Sequence, residues 1–234
     1  MHQKAWLIVP FLLVLGACRL PPAHTPPAPT TSTATGSVAS SSVSSAPNHL
    51  LRLDGAVLTS TGTTRFLETG VLEIGNADAP LTLTVFTEYH CKYCYQFQAE
   101  FLPQLQQEFI NDGRLKVRYV IKPLQKYPNS LATKQALLCA AKHGKGWPMH
   151  VAITSEANRS ALALRKHMEG MGIDSEGIGN CATDAQLASQ IQLQNEVMDQ
   201  LEVKLVPTFF LNDEKKIGLP VYPDMRGWIE AALN

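Results

Sequence analysis

The sequence predicts an α/β domain organised around a strand–helix–strand unit, with a pair of cysteines where the first strand turns into the helix. Three observations predict it. The apolar, β-branched run Leu81-Thr82-Leu83-Thr84-Val85-Phe86-Thr87 leads into Cys91-Lys92-Tyr93-Cys94, and then Phe97, Phe101, Leu105 and Phe109 recur every four residues. The first run reads as a strand and the second as a helix. Another apolar run, Leu115 to Ile121, follows, and strand, helix, strand in about 40 residues is a βαβ unit with parallel strands and a right-handed crossover. Past it the chain reads helical from Pro128 to Leu201 and extended again from Val206 to Leu219.

From the start of the chain, 234 residues suggest one or two domains. Lys+Arg and Asp+Glu are balanced at 20 each, so the charge does not point to nucleic acid or to an anionic surface as a partner. Residues 1–17 read as an export signal: Lys4, the apolar run Ala5 to Leu15, then Gly16-Ala17. The run is interrupted by Pro10 and is shorter than the ~20 apolar residues that span a bilayer. Its end, Leu15-Gly16-Ala17-Cys18, resembles a bacterial lipobox, in which the cysteine becomes the lipid-modified first residue. The other reading is an ordinary cleaved signal peptide with Cys18 incidental. Arg19 after the cysteine favours outer-membrane sorting in a Gram-negative host. Residues 18–49, rich in Pro, Ser, Thr and Ala, bury too little surface to offset their ordering entropy and read as a disordered tether. Such a tether holds a domain on the order of 30 Å from its anchor.

Five cysteines are present. With Cys18 lipidated and Cys91 and Cys94 in the motif, Cys139 and Cys181 remain. In the oxidising compartment that export implies, they are expected to pair, closing a loop of about 40 residues. The alternative is two unpaired core thiols.

In the globular region, 50–234, the segments between 50 and 75 look like an irregular lead-in or a small edge strand. Gly75-Asn76-Ala77-Asp78-Ala79-Pro80 is a dense turn signal. The strand 81–87 carries few charges, as one covered on both faces would. The helix is expected over 92–112, ending at Asn111-Asp112-Gly113, with a kink at Pro103. Strand 115–121 ends at Lys122-Pro123. Helices follow near 129–142, 147–155, 160–171 and 184–201, with glycines 144, 146, 172, 177 and 179 as punctuation. Strands 206–211 and 215–219 join through an Asn212-Asp213-Glu214 bend, and a helix from Pro223 to Leu233 closes the chain.

The chemistry follows from where the cysteines sit. Unpaired N–H groups and the dipole at a helix N-terminus stabilise an anion, here the Cys91 thiolate, and the thiolate is the attacking species. Cys94 lies nearly one turn on, near enough to close a small disulfide ring. A structural zinc site would need four ligands, and no second Cys-x-x-Cys or His-x-x-x-His supplies them. Two inert core cysteines are the remaining alternative.

Taken together, Gly75 to Pro80, Cys91 to Cys94, the run from Leu138-Cys139 to Gly146-Trp147, and Val206-Pro207-Thr208-Phe209-Phe210 resemble the thioredoxin superfamily. In particular, the order of elements is similar to the DsbA-like thiol–disulfide oxidoreductases of bacterial envelopes. The resemblance covers residues 70–234. It implies a thioredoxin-like core with an inserted helical domain at 123–195, and needs no cofactor. It implies that Cys91 is the exposed nucleophile and Cys94 the buried resolving thiol. Glu88 matches an acidic position that passes protons to or from Cys94, and Pro207 matches a cis-proline that turns Val206 towards the site, where a substrate segment pairs as an added strand. Lys92 and His90 are further candidates to favour the thiolate. Lys92-Tyr93 departs from the Pro-His of the best-known oxidases, which leaves the direction of electron flow open. The expected activity is oxidation of cysteine pairs in exported proteins, with reoxidation by a membrane quinone-linked partner. The protein would face the periplasm on a lipid anchor. A reductase or isomerase is the alternative within this class, though 50–75 is short for the dimerisation domain of isomerases. From another class, Cys91, Cys94 and His90 suit a copper(I)-binding envelope module. His143 and His150 are read as structural rather than metal-binding.

Overall fold

The structure, a computed structural model, describes residues 46–234. The export signal, Cys18 and the tether up to residue 45 lie outside them. Helix α1 (Ala46–Leu51) begins inside the stretch read as tether. Just beyond its C-terminus, Arg52 bonds Glu196 and Gln200 at 2.7 Å each, and Leu53 is fully buried. Those contacts draw on residues almost 150 positions away, which local composition does not reveal.

Residues 57–74 form three strands where the sequence suggested one at most: β1 (Val57–Thr61), β2 (Thr64–Leu67) and β3 (Leu72–Ile74). They make an antiparallel meander, and β3 adds to the central sheet. The strands are too short and too polar on their exposed face to show clear alternation. A long-range contact holds them: Glu73, nearly buried on β3, accepts hydrogen bonds from Arg65 and Arg118 at 2.6–2.9 Å.

Gly75 then turns the chain with φ 115°, and a Cβ there would lie 2.9 Å from the Leu115 carbonyl oxygen. Strand β4 (Leu81–Thr87) follows. Helix α2 (Lys92–Gln96) continues through a π-helical turn (Phe97–Phe101), α3 (Leu102–Leu105) and a second π-helical turn (Gln106–Ile110). Pro103 sits just after the first wide turn, where the Leu102 N–H bonds the Phe97 carbonyl five residues back. The extra residue in that turn relieves the clash a proline ring makes with the preceding turn of a regular helix. Gly113, with φ 80°, ends the run.

Strand β5 (Leu115–Ile121) pairs with β4 in parallel, from Leu81 opposite Leu115 to Thr87 opposite Ile121. Then come α4 (Ser130–Lys142), α5 (Gly146–Ser155), α6 (Ala161–Gly170), α7 (Ser175–Ala182) and α8 (Ala185–Gln200). Helix α7 was read as glycine-punctuated loop. Asp174 caps it by accepting from the Gly177 N–H at 2.8 Å, and Cys181 ties it to α4, which together outweigh the low helix propensity of Gly177 and Gly179. Strands β6 (Thr208–Leu211) and β7 (Glu214–Ile217) form the closing hairpin, and α9 (Tyr222–Leu233) ends the chain.

The sheet order is β1-β2-β3-β5-β4-β6-β7. Central β4 shows how the period-2 pattern of a strand builds two cores. Leu83 and Val85 pack with Phe97, Leu105, Phe109, Phe209 and Trp228 on one face. Phe86 packs with Val120, Val197, Met198 and Phe210 on the other. The inserted helices have their own core of Leu137, Met149, Ile153, Leu164 and Met168, reaching Tyr89 and Ile121. This is a mixed α/β fold with a helical insertion. Among the described residues no helix is long and apolar enough to cross a membrane.

Candidate active site

Parallel β4 and β5 end together, and the loops beyond their C-terminal ends are where open α/β sheets place their ligands. Cys91 lies there as the N-cap of α2, with φ −84° and ψ 120°, and its sulfur accepts from the Cys94 N–H at 3.4 Å. Cys91 and Cys94 are unbonded thiols, Cys91 half-buried and Cys94 buried. A hydrogen bond from the Cys94 thiol, aided by the N–H groups of Cys94 and Tyr93 and opposed by partial burial, lowers the Cys91 pKa to about 6. The same hydrogen bond, and then burial, push Cys94 far above the ordinary thiol range. One thiol is thus charged near neutral pH and the other keeps its proton. Lys92 and Tyr93 are exposed on the first turn.

The register of β6 brings a second element to the cysteines. Thr208 pairs with Phe86, so Val206 and Pro207 fall level with the end of β4. The Val206–Pro207 bond is cis, and the Cys91 sulfur lies 3.6 Å from the Val206 carbonyl oxygen, to which it donates only while it holds its proton.

Glu88 is wholly buried. Its Oε1 accepts from Ser130 Oγ at 2.8 Å and pairs with His90 Nδ1 at 2.7 Å, while Oε2 accepts from the His90 N–H at 2.6 Å. The His90 ring stacks on Tyr127, with centroids 5.0 Å apart. His90 therefore turns to Glu88. Cys94 is met by the Thr87 hydroxyl and the Glu88 N–H. Ser130, Tyr127 and Thr87 were not singled out from the sequence. Tyrosine and serine 33 and 36 positions beyond Cys94 give no local signal, and the threonine reads simply as strand.

Away from this site, Cys139 on α4 and Cys181 on α7 form a disulfide across 42 positions. Cys139, Cys181 and His143 are the one set among the described residues that brings three metal-type donor atoms within 4.8 Å of one another, and two of the three are bonded to each other. Cys91, Cys94 and His90 do not form such a set.

Residues 67–231 match the family described as Thioredoxin. The chain belongs to the thioredoxin family. Among curated proteins, this thioredoxin-family chain is 20% identical over 182 residues to Disulfide bond formation protein D of Bacillus subtilis, covering 69% of this chain and 76% of that protein. It is 25% identical over 148 residues to Na(+)/H(+) antiporter NhaA 3 of Salinispora tropica, covering 62% of this chain but only 22% of that protein's length. Its fold is similar to oxidised BdbD from Bacillus subtilis, with TM-score 0.62, 22% identity and coverage of 77% of this chain and 99% of that one. It is also similar to the thiol-disulfide exchange protein α-DsbA2 of Wolbachia pipientis, with TM-score 0.58, 20% identity and coverage of 68% and 86%. The fold is DsbA-like: a thioredoxin core with a helical insertion.

Proposed function

We propose that this chain is a thiol–disulfide oxidoreductase that oxidises cysteine pairs of exported proteins through a Cys91–Cys94 disulfide. The observation that carries the proposal is the asymmetry of the pair: a Cys91 thiolate favoured near neutral pH beside a buried, proton-holding Cys94. A substrate thiolate attacks the Cys91 sulfur of the oxidised pair, and Cys94 leaves with the electron pair of the broken S–S bond. A second substrate thiolate then attacks the substrate sulfur and releases Cys91 as the thiolate. The substrate leaves as a disulfide, oxidised by two electrons, and the enzyme pair is reduced by the same two. Whatever stabilises the Cys91 thiolate stabilises the reduced enzyme and makes its disulfide a stronger oxidant.

Pro207 and Val206 form the edge against which the substrate segment lies, with the Val206 carbonyl as its hydrogen-bond partner. Glu88 exchanges protons with Cys94, and His90 holds Glu88 in place. The Cys139–Cys181 disulfide is structural and joins the inserted helices. The expected setting is the bacterial envelope, with a lipid on Cys18, a tether over 18–49 and a quinone-linked membrane partner that restores the Cys91–Cys94 disulfide. Disulfide bond formation protein D, a relative by sequence, supports this direction of chemistry by its name.

The test is to mix the oxidised chain with a reduced peptide carrying two cysteines. Stoichiometric peptide oxidation that is lost in Cys91→Ala supports the proposal. Failure of the wild-type chain to oxidise the peptide refutes it.

A further inference from the structure

Away from Cys91 and Cys94, the inserted helices bring two sulfurs and an imidazole together. Donor atoms of Cys139, His143 and Cys181 lie within 4.8 Å of one another. Cys139 stands in the last turn of α4 and His143 is its C-cap, four positions on, so the two side chains share one face of that helix. Cys181 stands on α7, and Gly177, four positions before it, shares its face. The His143 ring lies against that glycine: a Cβ at Gly177 would come 3.1 Å from His143 Cε1, closer than side chains ordinarily approach. The missing side chain is what lets the imidazole reach the two sulfurs. Among the described residues neither ring nitrogen of His143 holds a hydrogen bond or an ion pair, so this histidine, read from the sequence as structural, is free to ligate.

The surroundings leave room for a further ligand. Cys139 and Cys181 line a cavity of about 530 Å³ among α4, α6 and α7, with Ala136, Leu164, Arg165 and Met168 among its other walls. Cys139 is buried and Cys181 half-buried, so Cys181 is the more open of the two sulfurs. Asp184, the carboxylate nearest Cys181 in sequence, is engaged elsewhere. Its Oδ1 accepts from the N–H groups of Gln186 and Leu187 as the cap of α8, and its Oδ2 pairs with Lys142.

We propose that Cys139, His143 and Cys181 form a latent metal site, closed while the two cysteines are joined and able to hold a zinc ion once a thiol has reduced them. The inference does not depend on the oxidase reading above. Metal ligation needs thiolates, and two thiolates with one imidazole are donors that suit zinc, with a fourth position left for water from the cavity. In the opening step a thiolate attacks the Cys181 sulfur, and Cys139 leaves with the electron pair of the broken S–S bond. A second thiolate attacks the incoming sulfur and releases Cys181. The two external thiols leave as a disulfide, and their two electrons and two protons pass to the cysteine pair. Zinc then binds in place of those two protons. The ion joins α4 to α7 where the disulfide did, so the link between these helices persists when the cysteines are reduced.

The test uses the full chain carrying Cys18→Ser, Cys91→Ser and Cys94→Ser, which leaves Cys139 and Cys181 as its only cysteines. Zinc(II) is titrated, in competition with a chromophoric chelator, into the oxidised chain and into the chain reduced and freed of reductant. One zinc per reduced chain and none per oxidised chain is expected, with a rise in Tm on adding zinc to the reduced chain alone. Cobalt(II) in place of zinc should give a sulfur-to-cobalt charge-transfer band. His143→Ala should weaken zinc binding by about a hundredfold, since even an outer partner of a ligand is worth roughly 10–100-fold. No uptake by the reduced chain, equal uptake by the oxidised chain, or an unchanged affinity in His143→Ala would overturn the inference while leaving the oxidase reading intact. Should reduction unfold the chain, circular dichroism decides. Zinc that restores the helical signal to the reduced chain and not to its His143→Ala variant supports the site, and any other outcome overturns it.

Discussion

The hydrogen bond from the Cys94 thiol is the largest contribution to the lowered Cys91 pKa, and Cys94→Ala removes it while leaving the N–H groups of residues 93 and 94 in place. With a midpoint at about 6, Cys91 is about nine-tenths thiolate at pH 7, against a few per cent for a free thiol near 8.5. A hydrogen bond to a charged group contributes roughly 1.5–3 kcal/mol, and one pKa unit is about 1.4 kcal/mol. Cys91 is half-exposed, so solvent screening trims the expected shift to about one unit, and the variant should titrate near 7. The sign carries over to stability. The folded pKa lies below the free value, so the thiolate's contribution is present above about 8.5 and is lost as pH falls through about 6. The reduced chain should therefore gain stability over the oxidised chain as pH rises across that window, by about 2 kcal/mol once exposure is allowed for. Iodoacetamide alkylation rate against pH reads the midpoint, and urea unfolding of the two redox forms reads the stability. A wild-type midpoint at or above about 8, or no change in Cys94→Ala, would refute the reasoning.

Other outcomes are expected from groups outside the cysteine pair. Lys134 is fully buried, with Nζ unpartnered among the described residues, and burial lowers its pKa to about 7. The unfolded chain then binds more protons between about 7 and 10.5, so stability should rise with pH across that range. Lys134→Met should abolish the slope and stabilise the chain by on the order of 3 kcal/mol at pH 7, read by urea unfolding. Replacing Cys139 and Cys181 together by Ala opens a loop spanning 42 positions and should cost about 4 kcal/mol by the chain-entropy account, also read by urea unfolding. Glu88→Gln puts an amide donor where His90 and Ser130 donate and should lower the melting temperature, a loss of about 1–3 kcal/mol, with the Cys91 midpoint falling because a nearby negative charge is gone.

What the sequence made legible follows its local signals. The apolar runs of β4 and β5, the four-residue spacing after Cys94 and the bend of the closing hairpin are local patterns, and the structure places those strands within a residue or two of where the patterns put them. The meander at 57–74 escaped because a long-range cluster, Arg65–Glu73–Arg118, holds it. Helix α7 escaped because a cap and a disulfide override its glycines. At the candidate site, the strand-to-helix junction drew attention to Cys91 and Cys94, and the family resemblance to Glu88, Val206 and Pro207. The partners that hold Glu88 and wall a small cavity at Cys94, Ser130, Tyr119, Gln98 and His150, come from distant elements and ordinary residue types. Only the three-dimensional register brings them together.

The most direct test of the central claim is the equilibrium potential of Cys91–Cys94 against a glutathione buffer, measured on the full chain. A thiolate stabilised at Cys91 favours the reduced pair, so the account predicts an oxidising couple, nearer about −120 mV than about −270 mV. A value at or below about −270 mV, or no reversible couple at all, would contradict it.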